Sequence, residues 1–173
     1  MTIGVRMICI QVNNNHIVRK LELENSLGAL IFLASKSQER IAEIAIKKQL
    51  GLTPSQWKII LALNMMNGLT QKDLAEKIYI DGSTLVPVID KMEKNGWVER
   101  KLDSKDRRIN RVFLTKKSES TVNSITLIIM QLRKIIYKGI SESEIDRVKK
   151  TLKNIIENSD KAFNEVKSVP DKT

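Results

Sequence analysis

Apolar residues recur along the chain in three blocks with different periods. In residues 22–50, Leu23, Leu27, Leu30, Ala34, Ile41, Ile44 and Ala45 return mostly at spacings of three and four, so they share one face of a helix. The pattern is long for a single globular helix, and Gly51 stands where it should stop. The second block, residues 52–115, is more densely punctuated. Thr53, Pro54 and Gln56 predict a helix start, with a hydroxyl cap, proline at the first helical position and an amide three residues after the cap. Ile59, Ile60, Leu63 and Met66 form its expected buried face, and Asn67-Gly68 its end. Thr70 opens a short second helix through about Ile78, which buries Leu74, Ala75 and Ile78. Asp81-Gly82 predicts a turn, with Ser83 or Thr84 capping a third helix that runs to about Lys94. That helix buries Leu85, Val88, Ile89 and Met92 and stops at Asn95-Gly96. Proline costs ~3 kcal/mol in a helix interior, so Pro87 requires a start no earlier than about Ser83. The period then shifts toward two, and Trp97-Val98 and residues 109–114 read as strands joined by a charged turn.

The third block, residues 116–173, is helical again. Val122, Ile125, Ile128, Ile129, Leu132, Ile135 and Ile136 make a broad stripe, and Gly139 interrupts it. Ser141 and Glu144 form a capping box for a last helix carrying Ile145, Val148, Leu152, Ile155 and Ile156, and the tail after about Ser168 is expected to be loose. The expected fold is mainly α. It places a winged helix-turn-helix with a two-stranded wing at 51–115, between helical segments at 1–50 and 116–173.

Composition narrows the picture. Aromatic residues are 4% of the 173, against 42% hydrophobic overall, so Ile, Leu, Val, Met and Ala must build the core. The 7 glycines and 3 prolines are too few for a sandwich or barrel. No apolar run has the length to cross a bilayer, and the first residues lack a small-residue cleavage site, so a cytoplasmic protein is expected. Cys9 is the single cysteine and His16 the single histidine, which argues against a disulfide, a metal site or a nucleophile–histidine pair. Neither a phosphate-binding glycine loop nor a carboxylate cluster suggests an enzyme or a cofactor.

The net charge of +10 favours a polyanionic partner without choosing among DNA, RNA and an anionic membrane. Its placement says more. Residues 51–96 hold five lysines and five acids, whereas 97–111 hold six cations (Arg100, Lys101, Lys105, Arg107, Arg108, Arg111) against Glu99, Asp103 and Asp106, a net of +3. In a helix-turn-helix the second helix enters the major groove with its leading residues on base edges. Ser83 and Thr84 occupy that leading end, and Lys91 lies further along the same helix. Thr70, Gln71 and Lys72 open the preceding helix, whose free N–H groups suit a phosphate. Taken one at a time, Ser83, Thr84 and Thr70 are more simply read as helix caps, the commonest task of Ser and Thr at such positions. A charged hairpin can lie along a DNA backbone and push an arginine into the minor groove. Asp103 and Asp106 fit there as turn-forming acceptors that aim Arg107 or Arg108.

The segments LTQKDLAEKIYIDGSTLVPVIDKMEKNGWVER and DSKDRRINRVFLT resemble the helix-turn-helix and wing of the MarR family of bacterial and archaeal transcriptional regulators. The similarity is strong over residues 69–115 and follows the helix order over about 21–161. On that pattern Asp103, Lys105, Asp106 and Arg108 take wing positions, and Leu114-Thr115 ends the second strand. The resemblance implies a homodimer whose outer helices interlock and whose winged domains read a palindromic site in double-stranded DNA, usually as a repressor. It also implies release by a small aromatic or anionic ligand, for which Trp57, Met65 and Tyr79 are the candidates, although core packing is the simpler use of each. One subgroup senses peroxides through a cysteine in the first long helix; residues 24–33 contain none, and Gly28 stands near its place. A winged-helix module for RNA or protein contacts is the other reading, since fold does not fix function. The arginine-rich tip favours DNA, and the absence of exposed stacking aromatics disfavours RNA.

Overall fold

The computed structural model describes residues 26–167; the readings of Cys9, His16, Leu23 and the tail after Ser168 lie outside it. The chain divides into two compact units between Arg40 and Ile41. The described part of the first unit is the front of α1 (Leu27–Leu50), where Ser26 accepts from the Ala29 N–H at 3.2 Å. Leu27, Leu30, Phe32 and Leu33 are exposed there.

In the second unit, α1 ends at Gly51, which takes a left-handed φ of +67°. Then follow α2 (Pro54–Met65), β1 (Leu69–Thr70), α3 (Gln71–Ile78), α4 (Gly82–Lys94), β2 (Val98–Leu102), β3 (Asn110–Leu114), a 3-10 turn (Lys116–Ser118), α5 (Glu119–Ile136) and α6 (Glu142–Lys167). The α2 start is the expected capping box: Gln56 N–H donates to Thr53 Oγ1 at 3.4 Å, and Thr53 N–H donates to Gln56 Oε1 at 2.9 Å. The same reciprocal pair, Ser141 with Glu144, opens α6. Ile59, Ile60 and Leu63 from α2, Leu74 from α3, and Leu85, Ile89 and Met92 from α4 are fully buried, joined by Ile46, Val98, Val112 and Ile125. Burying these aliphatic side chains supplies the main driving force for folding.

Four expectations need correction. Met66 is not on the buried face but 56% exposed. It is the extended cap residue beyond the end of α2, so the helical period no longer applies to it. The helix-turn-helix turn is shorter than expected, because α4 starts at Gly82 with Asp81 as its N-cap. Ser83 and Thr84 are therefore exposed residues of the first turn and not caps. Pro87 consequently sits in the second turn, where its missing N–H leaves the Ser83 carbonyl without its helical donor. The sheet has three strands, in the order β1-β3-β2. The two residues of β1 pair antiparallel with β3, Leu69 with Val112 and Thr70 with Arg111, a strand too short to show any alternation. In the wing, β2 runs to Leu102 and pairs along its length with β3.

Gly68 makes the α2–β1 connection possible. Its φ is +80°, its N–H donates to the Val112 carbonyl at 3.1 Å, and a Cβ there would lie 2.6 Å from the Phe113 ring. Gly68→Ala is expected to destabilise the fold by about 1–2 kcal/mol through backbone strain and ring displacement. A urea midpoint that falls with an unchanged slope would register this.

The outer helices cover little of their own apolar surface. α6 has no buried residue, with Val148, Ile156, Phe163 and Val166 exposed, and α5 exposes Leu127, Met130 and Ile135. Among the described residues, no helix is long and apolar enough to cross a membrane.

Candidate nucleic-acid interface

The wing is built on its acids. Asp103, at the end of β2, is 7% exposed, and its Oδ1 accepts from the backbone N–H of Lys105 at 2.7 Å and of Asp106 at 3.0 Å. Its Oδ2 receives the Arg111 Nε in a short ion-paired bond. The Arg111 guanidinium also donates to the Gly68 carbonyl at 2.8 Å, tying the wing root to the α2–β1 turn. The Arg111 bond, and then the two N–H bonds, stabilise the ionised form and hold the Asp103 carboxyl down at about 2. Asp106 repeats the device at the tip. Its carboxylate accepts from Arg108 N–H and Nε at 3.0 Å each and from the terminal guanidinium nitrogen at 2.9 Å, and the Arg108 side-chain bond lowers its pKa most. Asp106 thus aims Arg108, whereas Asp103 holds Arg111, and neither holds Arg107. Among the described residues, the Lys105 and Arg107 side chains carry no hydrogen bond or ion pair, and both are exposed at the tip.

Arg100, at the centre of β2, faces the helices. Its guanidinium donates to Glu93 at 2.5 Å and Asp90 at 2.6 Å, both on α4, and its Nε to Gln71 Oε1 at 3.1 Å, at the start of α3. Its own N–H donates to the other Glu93 oxygen at 2.8 Å. One side chain therefore joins the wing strand to both helices of the pair. Neighbouring Lys101 pairs with Glu99 at 2.7 Å.

The remaining candidates are spread along the helix pair. Thr70 caps α3 by accepting from the Asp73 N–H at 3.1 Å, and Lys72 is exposed on its first turn. Ser83, Thr84 and Lys91 are exposed on α4, opposite the buried Leu85, Ile89 and Met92. Trp57, Met65 and Tyr79 do not come together as one lining. Trp57 is 8% exposed in the core with its indole N–H unpartnered, while Met65 is 79% and Tyr79 94% exposed, so the last two are not core residues either. Tyr79 ends α3 in the left-handed region at φ +57°. The anchoring carboxylates Asp90 and Glu93 were not legible as site residues. Sequence places them ten and seven positions from Arg100, and only the α4–β2 turn brings them to it.

Three helices closed by a small sheet whose last two strands form a charged hairpin define a winged helix-turn-helix protein. Residues 52–110 match the sequence profile of the MarR family. The chain is 28% identical over 137 residues to the HTH-type transcriptional regulator SarZ of Staphylococcus haemolyticus (strain JCSC1435), covering 79% of this chain and 91% of the relative. The solved structure of the transcriptional regulator PA3341 superposes with a TM-score of 0.72 at 28% identity, over 79% of this chain and 99% of that one. A MarR transcriptional regulator from Methanosarcina mazei Go1 gives 0.66 at 27% identity, over 77% and 98%. Over its helix-turn-helix region the chain is similar to the MarR family of transcriptional regulators.

Proposed function

We propose that the protein acts in the cytoplasm as a homodimeric repressor that binds a palindromic operator in double-stranded DNA. The observation that carries the DNA reading is the wing tip, where buried or paired acids frame the turn and leave Lys105 and Arg107 as unpaired, exposed cations. Each phosphate that such a cation neutralises releases counterions and makes affinity salt-sensitive. Thr70, Gln71, Lys72, Ser83, Thr84, Lys91, Arg108 and the two tip cations are the proposed DNA-facing set. Arg100 and Arg111 contribute through their ion pairs. The dimer reading rests on α6, 26 residues long with no buried side chain, which needs a partner surface for its apolar stripe. Release by a small anionic or aromatic ligand rests on Trp57 alone, whose buried indole N–H has no acceptor among the described residues.

Arg107→Ala is expected to weaken binding to all duplexes alike and to lower the slope of log K against log salt by about 1. Anisotropy titrations from low to high salt measure both. An unchanged slope and affinity would remove the wing from the interface.

A further inference from the structure

The leading two turns of α4, the helix that a helix-turn-helix presents to the major groove, have an unusual chemistry. From Gly82 to Ile89 the residues are Gly, Ser, Thr, Leu, Val, Pro, Val and Ile, with no amide, carboxylate or cation among them. The first charged residue, Asp90, is drawn to Arg100, and Lys91 lies eight residues past Ser83, about 12 Å further along the axis. Arginine–guanine and asparagine- or glutamine–adenine pairs, the strong bidentate modes of base reading, are therefore not available to this part of the helix. What it exposes instead are two short hydroxyls, Ser83 and Thr84, and two apolar groups, Val86 (41% exposed) and Pro87. Leu85 and Ile89 are turned into the core and cannot contribute. The major-groove feature that apolar side chains recognise is the 5-methyl group of thymine. Proline suits this task, because its ring loses no side-chain freedom on contact.

We propose that Pro87, assisted by Val86, is a specificity-determining residue that reads thymine methyl groups in the major groove. The inference rests on the DNA-binding reading of the protein and names how the bases are discriminated. Ser83 and Thr84 tolerate either base at the positions they face, so the apolar pair supplies the selection.

The test uses the full-length protein and a duplex obtained by selection from a random pool. Each thymine of one half-site is replaced in turn by deoxyuridine, which removes only the methyl. Binding is expected to fall on the order of threefold to tenfold at one or two positions per half-site and to stay unchanged elsewhere. Pro87→Ala is expected to abolish that thymine–uracil difference at its position while leaving non-specific binding and its salt slope intact. Uniform indifference to uracil, or discrimination that survives Pro87→Ala, overturns the inference with DNA binding itself intact. Failure to select or bind any duplex would instead overturn the DNA-binding reading and the inference with it.

Discussion

Asp103→Ala is expected to unframe the wing while leaving the helical core folded. The substitution removes the acceptor of two backbone N–H groups and the counter-charge of Arg111 at once, at a site only 7% exposed. Arg111 keeps its bond to the Gly68 carbonyl, so the strand should remain paired while the turn at 104–109 loses its shape. The tip residues Lys105, Arg107 and Arg108 should then become fast trypsin sites. Duplex affinity should fall tenfold to a hundredfold, the scale of losing one or two positioned contacts. Asp103→Asn separates shape from charge, since its amide oxygen still accepts from the backbone while the ion pair with Arg111 is gone. The carboxyl titrates near 2 in the folded protein against an ordinary value of 3.8, so its ionised form is favoured by folding. Its contribution is therefore complete above about pH 4 and disappears as pH falls from there through 2. A wing that resists trypsin equally in wild type and Asp103→Ala would contradict this role.

Arg100→Ala is expected to cost about 2–3 kcal/mol of stability. Bonds to charged partners contribute more than neutral ones, reduced here because Asp90 is 60% exposed. The loss leaves Asp90 and Glu93 on α4 without their shared cation, so specific DNA affinity should drop more than non-specific affinity. Arg100→Lys cannot reproduce the fork that spans Asp90, Glu93 and Gln71, and it should rescue little. The alternative outcome is distinct. A variant of unchanged stability whose salt slope falls by about 1 would make Arg100 a direct phosphate contact and refute its role as a positioning residue.

Local chemistry made much of the molecule legible. Thr53 with Gln56 and Ser141 with Glu144 cap helices because each bond closes within four residues, and no distant contact is needed to form it. Gly51, Gly68, Gly96 and Gly139 all take positive φ, where only glycine is free of strain, so they punctuated the chain correctly. The 3.6-residue period picked out the faces of α2, α3 and α4 because burial imposes it on any helix laid against a core. It failed at Met66, where the helix had already ended.

The wing shows where that legibility stops. Its acids and cations, and the likeness they carry to a family of regulators, were determined by sequence alone. Which cation each acid holds was decided by tertiary structure. Arg111 reaches a carbonyl 43 residues away, and Arg100 a glutamine 29 residues away. Asp81 displaced Ser83 as the N-cap of α4, and residues 69–70 became a strand by pairing with Val112 and Arg111 of β3. Pairings of this kind carry no local signature. They form when packing of the apolar faces sets the backbones at fixed distances, and charged side chains then take the partners within reach.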